Sequence, residues 1–292
     1  MAMASERLSV TIAGITITVT GSIPFARFND FPFYRDFITG APRSGGVDCR
    51  LDLTVGPMPD LCPGPDPFTA DNWQLSALGD KKMLRIGPPP RRGRPDNIVV
   101  FDDDYSSGAM HQTMVFELFR RFIDQFLMIN LLSQRSGFLL HASGVIWDGK
   151  AIAFVGRSGV GKSTLLDLFK DEVSREHLLN DDRLAVRKCD GGWRLYGTPW
   201  YGESRVSSSG SAPLQALFFI DHAKHNYVKP LPNAEVCRRL LPTGLMPVWD
   251  PPATARVLET FQDLVGTVPA YEFGFLPDKS ALELITQTIQ TI

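Results

Sequence analysis

Along the first hundred or so residues, apolar and polar positions alternate in short runs. In Gly14 to Thr20, Ile15, Ile17 and Val19 alternate with Thr16, Thr18 and Thr20. A period of two puts the aliphatic side chains on one face and the threonines on the other, as in a half-buried strand. Leu51, Leu53 and Val55 alternate with Asp52 and Thr54 in the same way, and Met83 to Ile86 and Ile98 to Phe101 predict two further short strands. Between the last two runs lies Gly87 to Pro95, with four prolines and Arg91, Arg92 and Arg94. Proline cannot donate to a sheet ladder, so this stretch predicts a loop.

The period changes near residue 110. Val115, Leu118, Phe119, Phe122, Ile123, Phe126, Leu127 and Leu131 follow at steps of three and four. They predict one helix from about His111 to Ser133, ended near Gly137. The change divides the chain into a β-rich part, 1–110, and a second part, 111–292. There, Phe138 to Trp147 and Ala151 to Val155 flank Asp148-Gly149, a strong hairpin signal. A helix is expected over Lys162 to Phe169, and an apolar run ends at Asn180. Strands are expected over Arg183 to Arg187, Trp193 to Tyr196 and Leu214 to Asp221, and a helix over Lys279 to about Ile289. Arg205 to Pro213, rich in serine, is expected to be mobile. The fold class is α+β, with an α/β core in the second part.

Composition narrows the function. The 292 residues give a prior of two domains, and 43% hydrophobic with 21% charged residues is ordinary for a globular chain. Thirty Lys+Arg against thirty-two Asp+Glu give a net charge of -2, which excludes a general nucleic-acid binder. Arg91, Arg92 and Arg94 could dock an acidic peptide, although a solvated loop is the plainer reading; Asp102 to Asp104 read as a solvated acidic turn. Cys49, Cys62, Cys189 and Cys237 form no CxxC pair and fit no zinc spacing, so each is expected to be small core filler. The start carries no signal-peptide pattern, and Phe126 to Leu132, the most apolar run, is far short of a membrane span. The expectation is a cytoplasmic protein that engages neither membrane nor nucleic acid.

The chemistry is concentrated in one place. Gly156-Arg157-Ser158-Gly159-Val160-Gly161-Lys162-Ser163 has the form GxxxxGK followed by Ser or Thr, and Thr164 comes next. A buried strand precedes it and a helix follows, as a phosphate-binding loop requires. The glycines let the backbone curl so that successive N–H groups face phosphate oxygens. The helix start adds partial positive charge. Lys162 can reach the outer phosphates of ATP, and the Ser163 hydroxyl can ligate Mg²⁺. His141 lies on the strand before the loop, and Asp181-Asp182 follow the strand after its helix. One aspartate can hold Mg²⁺ while the other accepts the proton of an attacking hydroxyl; the pattern leaves their order open.

The blocks LHASGV, GRSGVGKST and LLNDDRLAV together resemble the catalytic domain of bacterial HPr kinase/phosphorylase and its relatives. These are P-loop serine kinases whose nucleotide-binding core is shared with phosphoenolpyruvate carboxykinase. The resemblance covers about residues 137–221. It implies that His141, Lys162 and Asp182 are catalytic. It also implies that Ser163 ligates Mg²⁺ together with Glu203, leaving Asp181 as the other carboxylate near the metal. Tyr201 to Val206 stands where HPr kinases carry an LEIRGLG-like signature. The chain therefore looks closer to the HPr-kinase-related proteins that act on other substrates, including kinases of ribosomally made peptides such as lasso-peptide precursors. The expected partner is a protein or peptide bearing a serine, and the kinship implies a homo-oligomer. Two other classes stay open: a small-molecule kinase or carboxykinase-like enzyme on the same core, and a non-catalytic nucleotide-dependent binding module.

Overall fold

The structure is a computed structural model that describes residues 5–25, 33–39, 46–65, 67–87, 97–114, 119 and 122–292. These form two compact units, Met1–Leu127 and Met128–Ile292. The Pro/Arg loop after Gly87 and the helical positions Val115 and Leu118 lie outside the described residues.

The first unit is built on one mixed sheet. Its strands are β1 (Glu6–Ile12), β2 (Ile15–Gly21), β3 (Ile38–Thr39), β4 (Cys49–Val55), β5 (Phe68–Thr69), β6 (Trp73–Leu78), β7 (Lys81–Ile86), β8 (Asn97–Phe101) and β9 (Ser107–Gln112). They lie in the order β3-β1-β2-β4-β9-β8-β7-β6-β5. β2 and β4 pair in parallel, as do β4 and β9. In β4 the expected alternation holds for Leu51 and Leu53, which are buried between exposed Arg50, Asp52 and Thr54, but it fails at Val55, which ends the strand 41% exposed. In β2 it does not, because Thr16 and Thr18 are buried beside the aliphatics. Their hydroxyls are satisfied across the hairpin, Thr18 by Ser9 at 2.9 Å and Thr16 by Thr11 at 3.0 Å. A hydroxyl with a cross-strand partner can leave water without a large penalty.

The helix read from His111 starts later. His111 and Gln112 belong to β9, and α1 covers Ile123–Ser133. The apolar steps of three and four are real from Phe119 onward, where Phe119, Ile123, Phe126 and Leu127 are all buried. Phe126 packs among Trp73, Phe101 and Tyr105 at ring separations of 5.8–5.9 Å. The acidic turn Asp102 to Asp104 is paired, with Lys81 at 2.7 Å from Asp102 and Lys82 at 3.0 Å from Asp103.

The second unit carries β10 (Gly137–Trp147), β11 (Lys150–Val155), α2 (Lys162–Leu168), β12 (Leu178–Asn180), β13 (Arg183–Cys189), β14 (Gly192–Tyr196) and β15 (Ser211–His222). Then follow β16 (Tyr227–Pro230), α3 (Asn233–Leu240), β17 (Gly244–Leu245), α4 (Pro251–Thr267), β18 (Ala270–Phe275) and α5 (Lys279–Gln290). The strand order is β11-β10-β13-β14-β15-β18-β16, and β11 also pairs with β15. The two long strands make this possible by changing partners along their length. β10 pairs with β13 over Gly137–His141 and with β11 over Ala142–Trp147. β15 pairs with β14 over Ser211–Pro213 and with β11 from Leu214. β11, β15 and β18 run parallel.

Both faces of the parallel strands are covered, which is why they read as continuous apolar runs. Ala151, Ala153, Val155, Leu217 and Phe219 join a core with Val257, Phe261 and Leu264 of α4. Ile152, Phe154, Ala216, Phe218 and Ile220 join another with Leu165 and Leu166 of α2 and Ile285 of α5. α3 and α4 were not foreseen in the sequence. α4 nevertheless had a start signal: the Asp250 side chain accepts from Ala253 N at 3.0 Å and proline follows at N1.

The serine-rich stretch expected to be mobile is tied down. Ser207 Oγ donates to Thr198 O at 3.0 Å, Ser208 Oγ donates to Glu176 O at 2.7 Å, and Ser211 to Pro213 are already strand. Short hydroxyl side chains suit this role because they satisfy nearby carbonyls at little entropic cost. The cysteines are free, but only Cys49 is buried core; Cys62 is exposed and Cys189 and Cys237 are partly buried. Among the described residues no helix is long and apolar enough to cross a membrane.

Candidate active site

The hairpin β10–β11 brings two parts of the site together. Asp148 and Gly149 turn it with φ of 52° and 75°, the left-handed pair that a two-residue hairpin with the right twist requires. The return strand delivers Val155 to the glycine-rich loop. On the outgoing strand, His141 is the last residue paired with β13, and Ala142 is the first paired with β11. His141 thus stands where β10 passes from one set of partners to the other. Its N–H donates to Thr243 O at 2.7 Å, and Ala142 N donates to Asp182 O at 3.0 Å.

The loop needs glycine at defined positions. Gly159 and Gly161 have φ of +78° and +97°, a region that side chains with a Cβ avoid. At Gly156 a Cβ would lie 2.6 Å from Val160 Cγ1, and at Gly161 one would lie 2.9 Å from the Phe275 ring. The loop is therefore folded tightly on itself and against the end of β18. Arg157, Ser158 and Gly159 are exposed, Val160 is half-buried, and Ser163 and Thr164 open α2 with half-buried and exposed side chains.

Lys162 turns back into this loop. Its side chain is 6% exposed. Nζ donates to Gly156 O at 2.8 Å and Arg157 O at 3.0 Å, and lies 3.1 Å from His141 Nε2. An ammonium has three donors, and all three are directed. Burial lowers the Lys162 pKa from its ordinary value, and the Asp182 carboxylate opposes that shift.

His141 links Lys162 to Asp182. Its Nδ1 lies 2.9 Å from Asp182 Oδ1. Since Lys162 can only donate to Nε2, the network assigns the ring proton to Nδ1, where it donates to the carboxylate. Arg183 Nε stands 3.6 Å from Asp182 Oδ2. Burial would raise the Asp182 pKa, but the His141 hydrogen bond and the nearby cations Arg183 and Lys162 outweigh it and hold the carboxyl below its ordinary value. One carboxylate between an ammonium and a guanidinium leaves the cluster with excess positive charge, which suits a phosphate ligand.

The turn holding Asp182 is set by a residue that sequence reading passed over. Asn180, fully buried, accepts from both Asp182 N and Arg183 N at 2.7 Å and donates to Thr198 O at 2.8 Å. An Asn directly before two aspartates is an Asx-turn signal, and it could have been read as such. Asp181, 3% exposed, faces the other way from Asp182 in role. Its Oδ1 accepts from Gly202 N at 2.8 Å and Val206 N at 3.3 Å, and its Oδ2 accepts from Ser204 N at 2.7 Å. The carboxylate expected beside a metal is therefore engaged on both oxygens by backbone N–H groups. A buried anion needs such donors, and the glycine-containing loop supplies them. At Gly202 a Cβ would come within 3.0 Å of both Asp181 Oδ2 and Asp182 Cβ, so this loop lies directly against the pair. Glu203, between two of the clamped amides, is exposed.

The sequence-derived set thus falls into three groups. His141, Lys162 and Asp182 form one hydrogen-bonded chain. Gly156 to Thr164 form the loop and the first turn of α2. Glu203 lies on the loop after β14, and Asp181, just past β12, anchors that loop. Among the described residues, no group of three or more His, Cys, Asp or Glu side chains is arranged to hold a metal ion. A cleft of about 390 Å³ lined by Trp147, Glu172, Lys279 and Glu283 shares no residue with this cluster. Compared with known proteins, the chain matches no protein-family model and no curated protein.

Proposed function

We propose that the unit Met128–Ile292 is an ATP-dependent phosphotransferase with a P-loop core of the HPr-kinase type, acting on a serine hydroxyl of a protein or peptide. The observation that carries this reading is the chain from loop lysine to histidine to carboxylate, Lys162–His141–Asp182, beside a glycine-rich loop. A phosphate-binding turn alone needs no such chain. A transferase needs a cation for the phosphates and, close to it, a group to receive the acceptor's proton.

In this reading the triphosphate lies over Gly156 to Thr164. Phosphate oxygens compete with the Gly156 and Arg157 carbonyls for the donors of Lys162. The acceptor hydroxyl approaches in line with the bond to be broken. An O–P bond forms to the serine oxygen, the bond from the γ-phosphorus to the β,γ-bridging oxygen breaks, and the hydroxyl proton passes to Asp182 Oδ2. His141 holds Asp182 Oδ1, so the carboxylate presents its other oxygen. A carboxylate with a lowered pKa is a weak base, which fits a loose transition state in which the proton leaves late. Lys162 and Arg183 stabilise charge on the transferring group. Phosphate-bound Mg²⁺ needs only one or two protein oxygens. Ser163 would supply one and Glu203, exposed on the clamped loop, the second; Asp181, engaged by three amides, is not assigned to it. Bound there, Mg²⁺ would neutralise phosphate charge.

Asp182→Asn tests the reading. Transfer of the γ-phosphoryl to a serine-bearing acceptor should fall by about two to four orders of magnitude, while ATP binding, measured separately by calorimetry, is retained. Transfer at the parental rate would overturn it. Incubation with labelled ATP separates the other two readings: label on a metabolite favours a small-molecule kinase, and no label on any acceptor favours a binding module.

A further inference from the structure

We propose that the nucleoside half of the nucleotide rests on the carboxyl ends of β15 and β18, with the His222 imidazole as its stacking face. This rests on reading Gly156 to Thr164 as the phosphate site. The order of the strands gives the direction. β11, which delivers the loop, lies between β10 and β15. His141 is on β10, and Asp182 is joined to it, so the reacting end of the nucleotide lies on that flank. A triphosphate lying in the loop with its γ-phosphate at Asp182 must carry its nucleoside away from that flank, toward β15 and β18.

A built surface stands there. In the parallel pair β15–β18, His222 is partnered with Phe275. The His222 ring lies 3.7 Å from where a Cβ on Gly161 would be, next to the last glycine of the loop. His222 is exposed, and Leu276, the next residue beyond Phe275, is an exposed apolar side chain at 38%. An open imidazole next to the loop, with an exposed aliphatic residue one position past its strand partner, suits a flat, weakly polar base. The surface is also rigid. Asn226 Oδ1 accepts from Leu276 N at 2.6 Å, and its Nδ2 donates to Ser280 Oγ at 2.6 Å and Asp278 Oδ1 at 3.4 Å. These bonds fasten the loop after β15 to the loop after β18. No residue of this surface belongs to the Lys162–His141–Asp182 chain, so it can be tested apart from catalysis.

The test compares ATP with inorganic tripolyphosphate, both with Mg²⁺, by calorimetry on the full chain. Wild-type protein should bind ATP more tightly than tripolyphosphate. His222→Ala should weaken ATP about tenfold, the size of one lost base-stacking contact, and leave tripolyphosphate unchanged. Lys162→Ala should weaken both. In NMR spectra, the His222 imidazole signals should show an upfield ring-current shift on addition of ATP that tripolyphosphate does not produce. Equal wild-type affinity for the two ligands, or equal weakening of both by His222→Ala, would overturn the nucleoside site while leaving the phosphate loop standing. Binding of neither ligand would overturn both readings.

Discussion

Replacing Asp181 by Asn isolates what holds the loop over the site. The substitution keeps the shape but removes the charge and converts one acceptor oxygen to an amine. If the amide keeps its oxygen at Oδ1, the bonds to Gly202 N and Val206 N survive, and an NH₂ faces the Ser204 N–H that Oδ2 had accepted at 2.7 Å. One hydrogen bond to a charged group is lost, about 1.5–3 kcal/mol. The remaining two lose their charge assistance, which roughly halves each. Turned the other way, the amide keeps only Ser204 and costs more. The sum is about 3 kcal/mol at its low end, which at about 1.4 kcal/mol per factor of ten makes opening of this loop at least about a hundredfold more frequent. Amide hydrogen exchange reads it directly, since locally opened segments exchange with their own free energy. Gly202, Ser204 and Val206 should lose at least about a hundredfold of protection in Asp181→Asn, while Ala185 and Val186 in β13 keep theirs. Unchanged exchange at the three amides would refute the clamp. Loss of Mg²⁺·ATP affinity with the three amides still protected would return Asp181 to the metal.

Other outcomes follow from the same geometry. Asn180→Ala leaves Asp182 N and Arg183 N without their shared acceptor; urea unfolding should show a loss of about 2–4 kcal/mol, and a loss below about 0.5 would contradict the turn's role. Gly161→Ala places a side chain at φ +97° and against Phe275; it should destabilise by about 2 kcal/mol and abolish ATP binding, so retained affinity would count against the loop. Burial depresses the Lys162 pKa below 10.5 in the folded protein. Between the folded and unfolded values the unfolded chain binds more protons, so this group's contribution to stability rises with pH through that window. Phosphate favours the charged form, so ATP affinity should fall as pH rises through the same window, with proton uptake on binding seen by calorimetry in buffers of different ionisation enthalpy. An affinity independent of pH up to about 10.5 would show that the lysine does not meet the phosphates.

Local patterns carried far in this chain. The Asp148-Gly149 hairpin, the loop glycines and strands such as β2, β4, β7 and β8 were legible because each depends on neighbours in sequence: a left-handed turn, a tight backbone curl, a period of two; β1, β6, β9 and β18 were not read as strands. The helix after β9 was placed too early, since periodicity alone marks an apolar face and not where the backbone first closes a turn. Buried Thr16 and Thr18 contradicted a half-exposed face because cross-strand hydroxyl partners, invisible in one strand, removed the cost of burying them. The serine-rich stretch after Arg205 read as loose for the same reason: its partners, Thr198 O and Glu176 O, come from other segments.

The site divides along the same line. By itself the sequence determined the chemistry on offer: a glycine-rich loop with its lysine, a histidine one strand earlier and an aspartate pair one strand later. Only the tertiary structure shows which partners each aspartate has. Two adjacent carboxylates are equivalent as letters, but the turn that Asn180 caps just before them sends them to different partners. One carboxylate meets His141 and Arg183, the other three backbone amides of a loop some twenty residues on. Those donors arrive through the partner changes of β10 and the return of the chain from β14, contacts that depend on the whole sheet and have no local signature.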